Sequence, residues 1–384
     1  MKKIWPFSFY FLYFAALSAF IPFIVLFYQQ LKFTGTEIGL LTGIPPLITL
    51  IAAPFLAGVA DSTRRHTLIM GFGILSAVVI IFSLPFFTSF AVIFALVLLF
   101  NVFFSPVASL GDSATMAMLG EERAMYGRIR MGGTIGWGIF AQIAGILFYV
   151  YGLRILFYTF SVLMLINFFV SQRFSFGKPA EHESDHGGIR TLLKDRNWIV
   201  FLLLAFLGGV GALSVSSYLA AYLKELGANG NQIGFAITIA AVTEVPVFFF
   251  GNRLVKRFTP YGLLLIALFL MGIRSLLFAA ASTLFLAIVV QAFGGMIFPA
   301  MWSAGVAYAD EHAPAGLKST GQGLFGAASF GFGSAVGGFV GGPLLASIGG
   351  RGMFLVFGII ILVGLALIEG GRRLFPKKEL PQTV

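Results

Sequence analysis

Polar residues fall in short joints along this chain, and between the joints lie apolar blocks of about 20 residues, the length that crosses the hydrocarbon core of a bilayer as an α-helix. The pattern predicts spans over Phe7 to Leu31, Glu37 to Ala60, Thr67 to Phe86, Phe90 to Ser113, Met131 to Val150 and Leu153 to Val170. A second set is predicted over Asn197 to Leu223, Asn231 to Phe250, Tyr261 to Ala281, Leu284 to Tyr308, Gly321 to Ser347 and Met353 to Glu369. Twelve spans place both termini on one side of the membrane. The first block is too long for the apolar core of a secretory signal, so it is read as a span despite Lys2 and Lys3 ahead of it.

Composition agrees with that pattern. Hydrophobic residues make up 58% of the chain and charged residues 10%, where a soluble domain carries about a quarter charged residues. Cysteine is absent, which excludes disulfides, thiol catalysis and thiolate metal sites. The net charge of +10 sits in joints beside apolar spans, not on one face of a soluble element, so it reports topology and no nucleic-acid partner is expected. Twenty Lys and Arg residues fall on the side of the termini and four on the other, which by the positive-inside rule predicts cytoplasmic termini.

The one long joint, rich in charge, Gly and Ser, lies near the middle. It divides the chain into a six-helix bundle over 1–170, a cytoplasmic linker over 171–196, a second bundle over 197–371 and a cytoplasmic tail over 372–384. An internal repeat matches this division. Gly35-Thr36-Glu37-Ile38-Gly39 opens span 2 and Gly230-Asn231-Gln232-Ile233-Gly234 opens span 8, 195 residues on, while Gly145 and Arg154 are echoed 197 residues on by Gly342 and Arg351. Two near-equal offsets half a chain long indicate duplication.

Two segments carry a resemblance to a known family. Ala57-Gly58-Val59-Ala60-Asp61-Ser62-Thr63-Arg64-Arg65-His66 resembles the cytoplasmic signature of the major facilitator superfamily, with Ala57 and Arg64 where that signature has glycines. The resemblance implies a cytoplasmic gate using Asp61 and Arg65; a solvated loop that only sets topology is the plainer alternative. Tyr126-Gly127-Arg128-Ile129-Arg130-Met131-Gly132-Gly133-Thr134-Ile135-Gly136-Trp137 resembles the start of span 5 in the lactose-permease-like branch, which includes oligosaccharide and nucleoside symporters and phenylpropionate permeases. That resemblance implies a substrate site at Arg130, Trp137 and, on span 4, Asp112. It also implies an all-α fold of two pseudo-symmetric six-helix bundles working by alternating access around a central cavity.

Isolated charges inside spans are costly and mark pathways or pairs. Asp112 is one, with Arg130 as its natural partner; a pair that merely fixes spans 4 and 5 is the structural alternative. Glu244 on span 8 and Arg274 on span 9 are the others, spaced as in the phenylpropionate-type permeases, which the resemblance assigns to proton coupling and the plainer reading to a static salt bridge. Gln291 on span 10 is expected on the substrate side. One departure bears on coupling: the symporters' span 10 His and the lactose permease Glu fall where Gly294 and Ile297 stand here. A proton is then carried by Asp112 or Glu244, or the transporter is not proton-driven.

His182-Glu183-Ser184-Asp185-His186 has the spacing of a zinc peptidase motif but lies between Pro179 and a Gly pair in the polar linker with no third ligand, and Gly321-Gln322-Gly323-Leu324-Phe325-Gly326 has a dinucleotide spacing without a strand before it. Neither supports a metal, a cofactor or an enzyme. The expected protein is a monomeric inner-membrane permease for a sugar, nucleoside or aromatic acid. An amphiphile exporter and a non-transporting assembly or sensor protein on the same fold are the alternatives.

Overall fold

A computed structural model describes residues 3–177, 188–314 and 317–374. It contains eleven helices long and apolar enough to cross a membrane. They are α1 (Ile4–Gln30), α2 (Gly35–Thr63), α3 (His66–Phe86), α4 (Phe90–Glu122), α5 (Tyr126–Tyr151), α6 (Arg154–Ser171), α7 (Arg196–Glu225), α8 (Gly230–Phe258), α9 (Pro260–Ala280), α10 (Leu284–His312) and α11 (Lys318–Leu374). The zinc-like motif of the linker lies outside the described residues.

The last helix is 57 residues long, about 85 Å if straight, nearly three times a bilayer core. It is not straight. Gly349 breaks it with φ 70° and ψ 176°, and Gly337 before the break and Gly364 after it both pack on α7, against Val210 and Leu207. The two arms therefore run side by side in opposite directions, and the chain crosses twelve times, as the apolar blocks predict. Glycine suits the break because, lacking a Cβ, it takes a positive φ at little cost.

The duplication is written in the turns. Helices α2 and α8 each open with a reciprocal capping box: Glu37 N–H donates to Thr34 Oγ1 (3.3 Å) and Thr34 N–H to Glu37 Oε2 (2.7 Å), while Gln232 N–H donates to Asn229 Oδ1 (3.0 Å) and Asn229 N–H to Gln232 Oε1 (2.9 Å). Left-handed residues recur at the same spacing: Lys32 with Gly227 and Arg64 with Thr259 are each 195 apart, and Gly152 with Gly349 197 apart.

Within the first half α1 packs on α5 and α6, and α3 on α6; within the second, α11 packs on α7 and α9, and α9 on α10. The halves meet mainly along two crossings, α2 with α11 and α5 with α8, and the part of α1 after Phe20 also touches α7. The ends of the bundle holding Lys3, Thr63 and Leu374 are called here the terminal face, and those holding Gln30, Gly35 and Tyr151 the distal face. One hydrophobic core fills the first half and crosses into the second through Tyr218, Tyr222, Ile233, Phe278 and Phe354, all towards the distal face. A separate core around Trp198, Phe201, Tyr308 and Phe325 holds the second half together at the terminal face.

Candidate functional site

Several helices break partway along their length. Pro22 interrupts α1 with a 3₁₀ turn, Pro106 restarts α4, and Gly295 and Met296 interrupt α10 between Leu284–Gly294 and Ile297–His312. A proline lacks the N–H that a continuous helix needs, so such positions leave local backbone free to bend. The first arm of α11 contains a π-helical segment, Ala327–Gly333.

Helix α4 runs on as α-helix to Leu119, beyond the apolar block that ends at Ser113, so Asp112 is an interior residue of the helix and not its end. Helix α5 likewise starts at Tyr126, five residues before the apolar block, which brings Arg128 and Arg130 into it. Hydropathy misses the start of α5 because its added turn carries Arg128 and Arg130, whereas the added residues of α4, Ala114 to Leu119, are apolar apart from Thr115 and lie beyond the polar Asp112 and Ser113.

Asp112 and Arg130 are brought together, as their chemistry predicts, with Arg130 Nη1 3.6 Å from Asp112 Oδ1 and both side chains 40% exposed. Two phenols complete the group: the hydroxyls of Tyr10 and Tyr126 donate to the same Oδ1 at 2.5 and 2.9 Å. The Arg130 guanidinium lies 5.4 Å from the centres of both the Tyr10 and Phe14 rings, a cation–π arrangement. Asp112 thus serves as an anchor with several bonds, of the charge-assisted kind that contribute about 1.5–3 kcal/mol each.

The glycines of the span 5 segment explain why α1 lies there. Gly132 and Gly136 sit against the backbone carbonyls of Phe7 and Phe11, and Gly133 against the Phe14 ring, so that any side chain in those places would push α1 away. The segment that resembles a binding motif is also the seat of α1, and it fixes Tyr10 and Phe14 over Arg130. Trp137, at the end of this seat, is half-buried and packed on the main core, and its ring N–H has no partner among the described residues.

In the second half the expected Glu244 and Arg274 pair is not in contact. Among the described residues no ion pair joins them, although Arg274 is near enough to act on Glu244 through space. Arg274 instead donates through Nη2 to Gln291 Oε1, lies 5.3 Å from the centre of the Phe278 ring, and leaves its buried Nε unpartnered. Gly294 makes this possible. Its bare Cα faces the guanidinium so closely that a methyl there would collide with Nε and Cζ. The residue that departs from the symporter pattern is therefore the floor on which Arg274 rests, and Gly295 beside it packs on the Ala240 carbonyl and Thr243 of α8.

At the terminal face Asp61 and Arg65 do not pair. Asp61 Oδ1 lies 2.8 Å from His66 Nε2, and the His66 ring stacks on Phe176 at 4.8 Å, while Arg65 is exposed. Arg64, in the place of a signature glycine, takes the left-handed conformation, φ 55°, that a glycine would favour at a helix end.

The crossings between halves close at one face only. On the distal side a methyl added at Gly145 would lie 2.5 Å from the Gly230 carbonyl oxygen, and one at Gly35, 2.6 Å from Ala346 Cβ; Gly39 and Gly43 press on Phe339 of α11, and Gly342 on Gly35 and Gly39. Near the middle the contact loosens, with Gly138 3.4 Å from Ala241 by the same measure and Gly331 meeting only the Leu50 side chain. At the terminal face Gly58, Gly127, Gly323 and Gly326 meet no neighbouring atom within 4 Å. The two halves are joined at the distal face and diverge toward the terminal face, with Asp112 and Arg130 on the diverging side of the first half.

Two duplicated six-helix bundles, sealed at one end and parted at the other around intramembrane charges, define a secondary transporter of the major facilitator fold that moves a small organic solute by alternating access. The chain belongs to the MFS_1 like family, whose model matches residues 4–356. It is 28% identical to the maltose permease of Geobacillus stearothermophilus over 96% of this chain and 93% of that permease. It is 25% identical to the "Probable 3-phenylpropionic acid transporter" of Escherichia coli (strain K12) over 73% of this chain and 75% of that one. Among solved structures the nucleoside transporter NupG superposes with a TM-score of 0.85 at 16% identity, covering 96% of this chain and 98% of that one.

Proposed function

We propose that the protein takes up a neutral, hydroxyl-rich solute of the sugar class, driven by protons. The observation that carries this reading is the Asp112, Tyr10, Tyr126 and Arg130 cluster, with Trp137 two turns beyond Arg130 on the same helix. A carboxylate, a guanidinium and two phenols offer both acceptors and donors to sugar hydroxyls, and an indole face suits the apolar face of a pyranose. The full-length similarity to a maltose permease supports the same class. An aromatic monocarboxylate is the second reading, favoured by the unpartnered Nε of Arg274.

Glu244 is the proton carrier in this reading. It makes no hydrogen bond or ion pair among the described residues, so gain or loss of its proton disrupts no contact, whereas Asp112 anchors two phenols and an arginine. Gln291 holds Arg274 ready for it, and Asp61 with His66 and Arg65 forms the terminal gate. The terminal face is cytoplasmic, on the excess of twenty basic residues over four, which makes the conformation inward-facing, and the bacterial relatives support the inner membrane of a bacterium as its location. The halves are 1–170 and 197–371, joined by 171–196 and followed by the tail 372–384; the transporter acts as a monomer and performs no chemistry on its solute.

Proteoliposomes test this. Maltose and other sugars are expected to be taken up on an imposed inward proton gradient, with Asp112→Asn and Trp137→Ala weakening apparent affinity about tenfold or more. Glu244→Gln is expected to abolish accumulation while leaving counterflow exchange. Uptake of phenylpropionate in place of sugars would select the second reading, and no solute flux from a broad panel that includes amphiphilic drugs would overturn transport.

A further inference from the structure

Two threonines cross between the halves in the same way. Thr42 on α2 reaches toward Gly338 on α11, and Thr238 on α8 reaches toward Gly138 on α5. The threonines are 196 residues apart and the glycines 200, so each half sends a hydroxyl from its second helix to a glycine carbonyl on the fifth helix of the other. Thr238 Oγ1 donates directly to the Gly138 carbonyl at 2.8 Å. At the other crossing Tyr218 is interposed: Thr42 Oγ1 lies 2.7 Å from the Tyr218 hydroxyl, and that hydroxyl donates to the Gly338 carbonyl at 2.8 Å. With one proton per hydroxyl, the relay runs from Thr42 to Tyr218 to Gly338 or, when Thr42 turns its proton to Ile38, from Tyr218 to Thr42 to Ile38; in both cases the Thr42–Tyr218 bond crosses between the halves.

Both threonines have a second acceptor. Thr42 Oγ1 is also 2.9 Å from the carbonyl of Ile38 in its own helix, and Gly234 stands four residues before Thr238 in the same relation. A helical threonine can turn its hydroxyl back to that carbonyl. When the halves separate at the distal face, each hydroxyl therefore exchanges its partner across the crossing for one inside its own helix, and no polar group is stranded in the membrane, where a stranded group would be costly. Tyr218 keeps Gly338, since both belong to the second half. Thr238 also binds the residue that follows Trp137, so closure of the distal face and the setting of the candidate substrate helix are one event.

We propose that Thr42 and Thr238 are paired positioning residues of the distal gate, whose hydrogen bonds across the crossings favour the distally closed state, while the carbonyls of their own helices take the hydroxyls on opening and limit its cost. The proposal concerns the balance of two conformations and needs no substrate, so its failure leaves the sugar reading untouched.

The chain has no cysteine of its own, which makes the test direct. Spin labels at Phe87→Cys and Ser282→Cys, exposed distal joints of the two halves, report the opening as a distance distribution in lipid nanodiscs. Thr42→Val and Thr238→Val keep the shape and remove the hydroxyl. Each is expected to move the closed-to-open ratio about fivefold toward open, with the two shifts multiplying because the sites share no partner. Thr42→Ser and Thr238→Ser, which retain the hydroxyl, are expected to restore the original distribution. Tyr218→Phe, which removes the middle of the relay, serves as an independent variant should Thr42→Val fold poorly. Unchanged distributions in the valine variants, or equal shifts in valine and serine variants, would overturn the proposal.

Discussion

Gly294 shows how much one missing side chain decides. Arg274 rests on it, and a methyl at that place would strike the guanidinium. Gly294→Ala is expected to lift Arg274 from Gln291, to destabilise the protein by about 1–3 kcal/mol as overpacking does, and to lower uptake more than expression. Thermal unfolding in detergent and initial transport rates check the two effects separately. The sequence singled out Gly294 for what it lacks, a coupling histidine, and could not show what it admits, because that depends on where span 9 comes to lie. Tyr10 and Tyr126 were hidden for the same reason. Tyr10 is 102 residues from Asp112, and nothing local distinguishes a tyrosine that bonds an aspartate from one at a membrane interface. Asp112 and Arg130, by contrast, were legible because an isolated charge in an apolar block must find a partner, and few candidates were near.

At the scale of elements, the helices with the most glycine are those that meet. Gly35, Gly39 and Gly43 on α2 and Gly145, Gly230 and Gly234 at the α5 and α8 crossing place backbone against backbone on the distal side. Small residues at such spacing permit close approach of helices in a membrane. Gly145→Leu is expected to keep that crossing apart, raising the reactivity of single cysteines at distal positions severalfold and abolishing net uptake while the protein still inserts. Reactivity equal to that of the parent would mean that the crossing is not the seal. The small-residue spacing of span 11 was visible in the sequence, and so was the repeat that opens α2 and α8. The helix ends were less so. Helix α4 continues through 114–119, past the polar Asp112 and Ser113, a polar turn at 126–130 opens α5 ahead of its apolar block, and the break between spans 11 and 12 narrows from a joint of several residues to Gly349 alone.

The whole molecule is a duplicated object whose copies have diverged in chemistry while keeping their turns. Lys32, Arg64 and Thr259 hold left-handed conformations in which glycine is the easier choice, at places that the repeat pairs with Gly227 or with one another. Each half has helices that pack mainly on their own kind, and the core is continuous between halves at the distal face. Interrupting the chain between Gly177 and Gly188 and co-expressing the two pieces is therefore expected to give a complex that co-purifies and transports at a sizeable fraction of the intact rate. Pieces that fail to associate would show that the linker, and not the crossings, holds the halves in register.

The distal seam has a thermodynamic consequence. Ordering a long side chain costs up to about 2 kcal/mol of rotamer entropy, and a seal built from such groups would incur that cost anew in every cycle. Glycine has no rotamers to freeze, and where Gly145 meets Gly230 and Gly234, and Gly342 meets Gly35 and Gly39, the surfaces that part and rejoin are peptide backbone, beside side chains such as Phe339 and the hydrogen-bonded Gln142 and Asn231. Where backbone meets backbone, closing the seam freezes no rotamers, so more of the binding energy of the solute and the proton can be directed to choosing between the two faces.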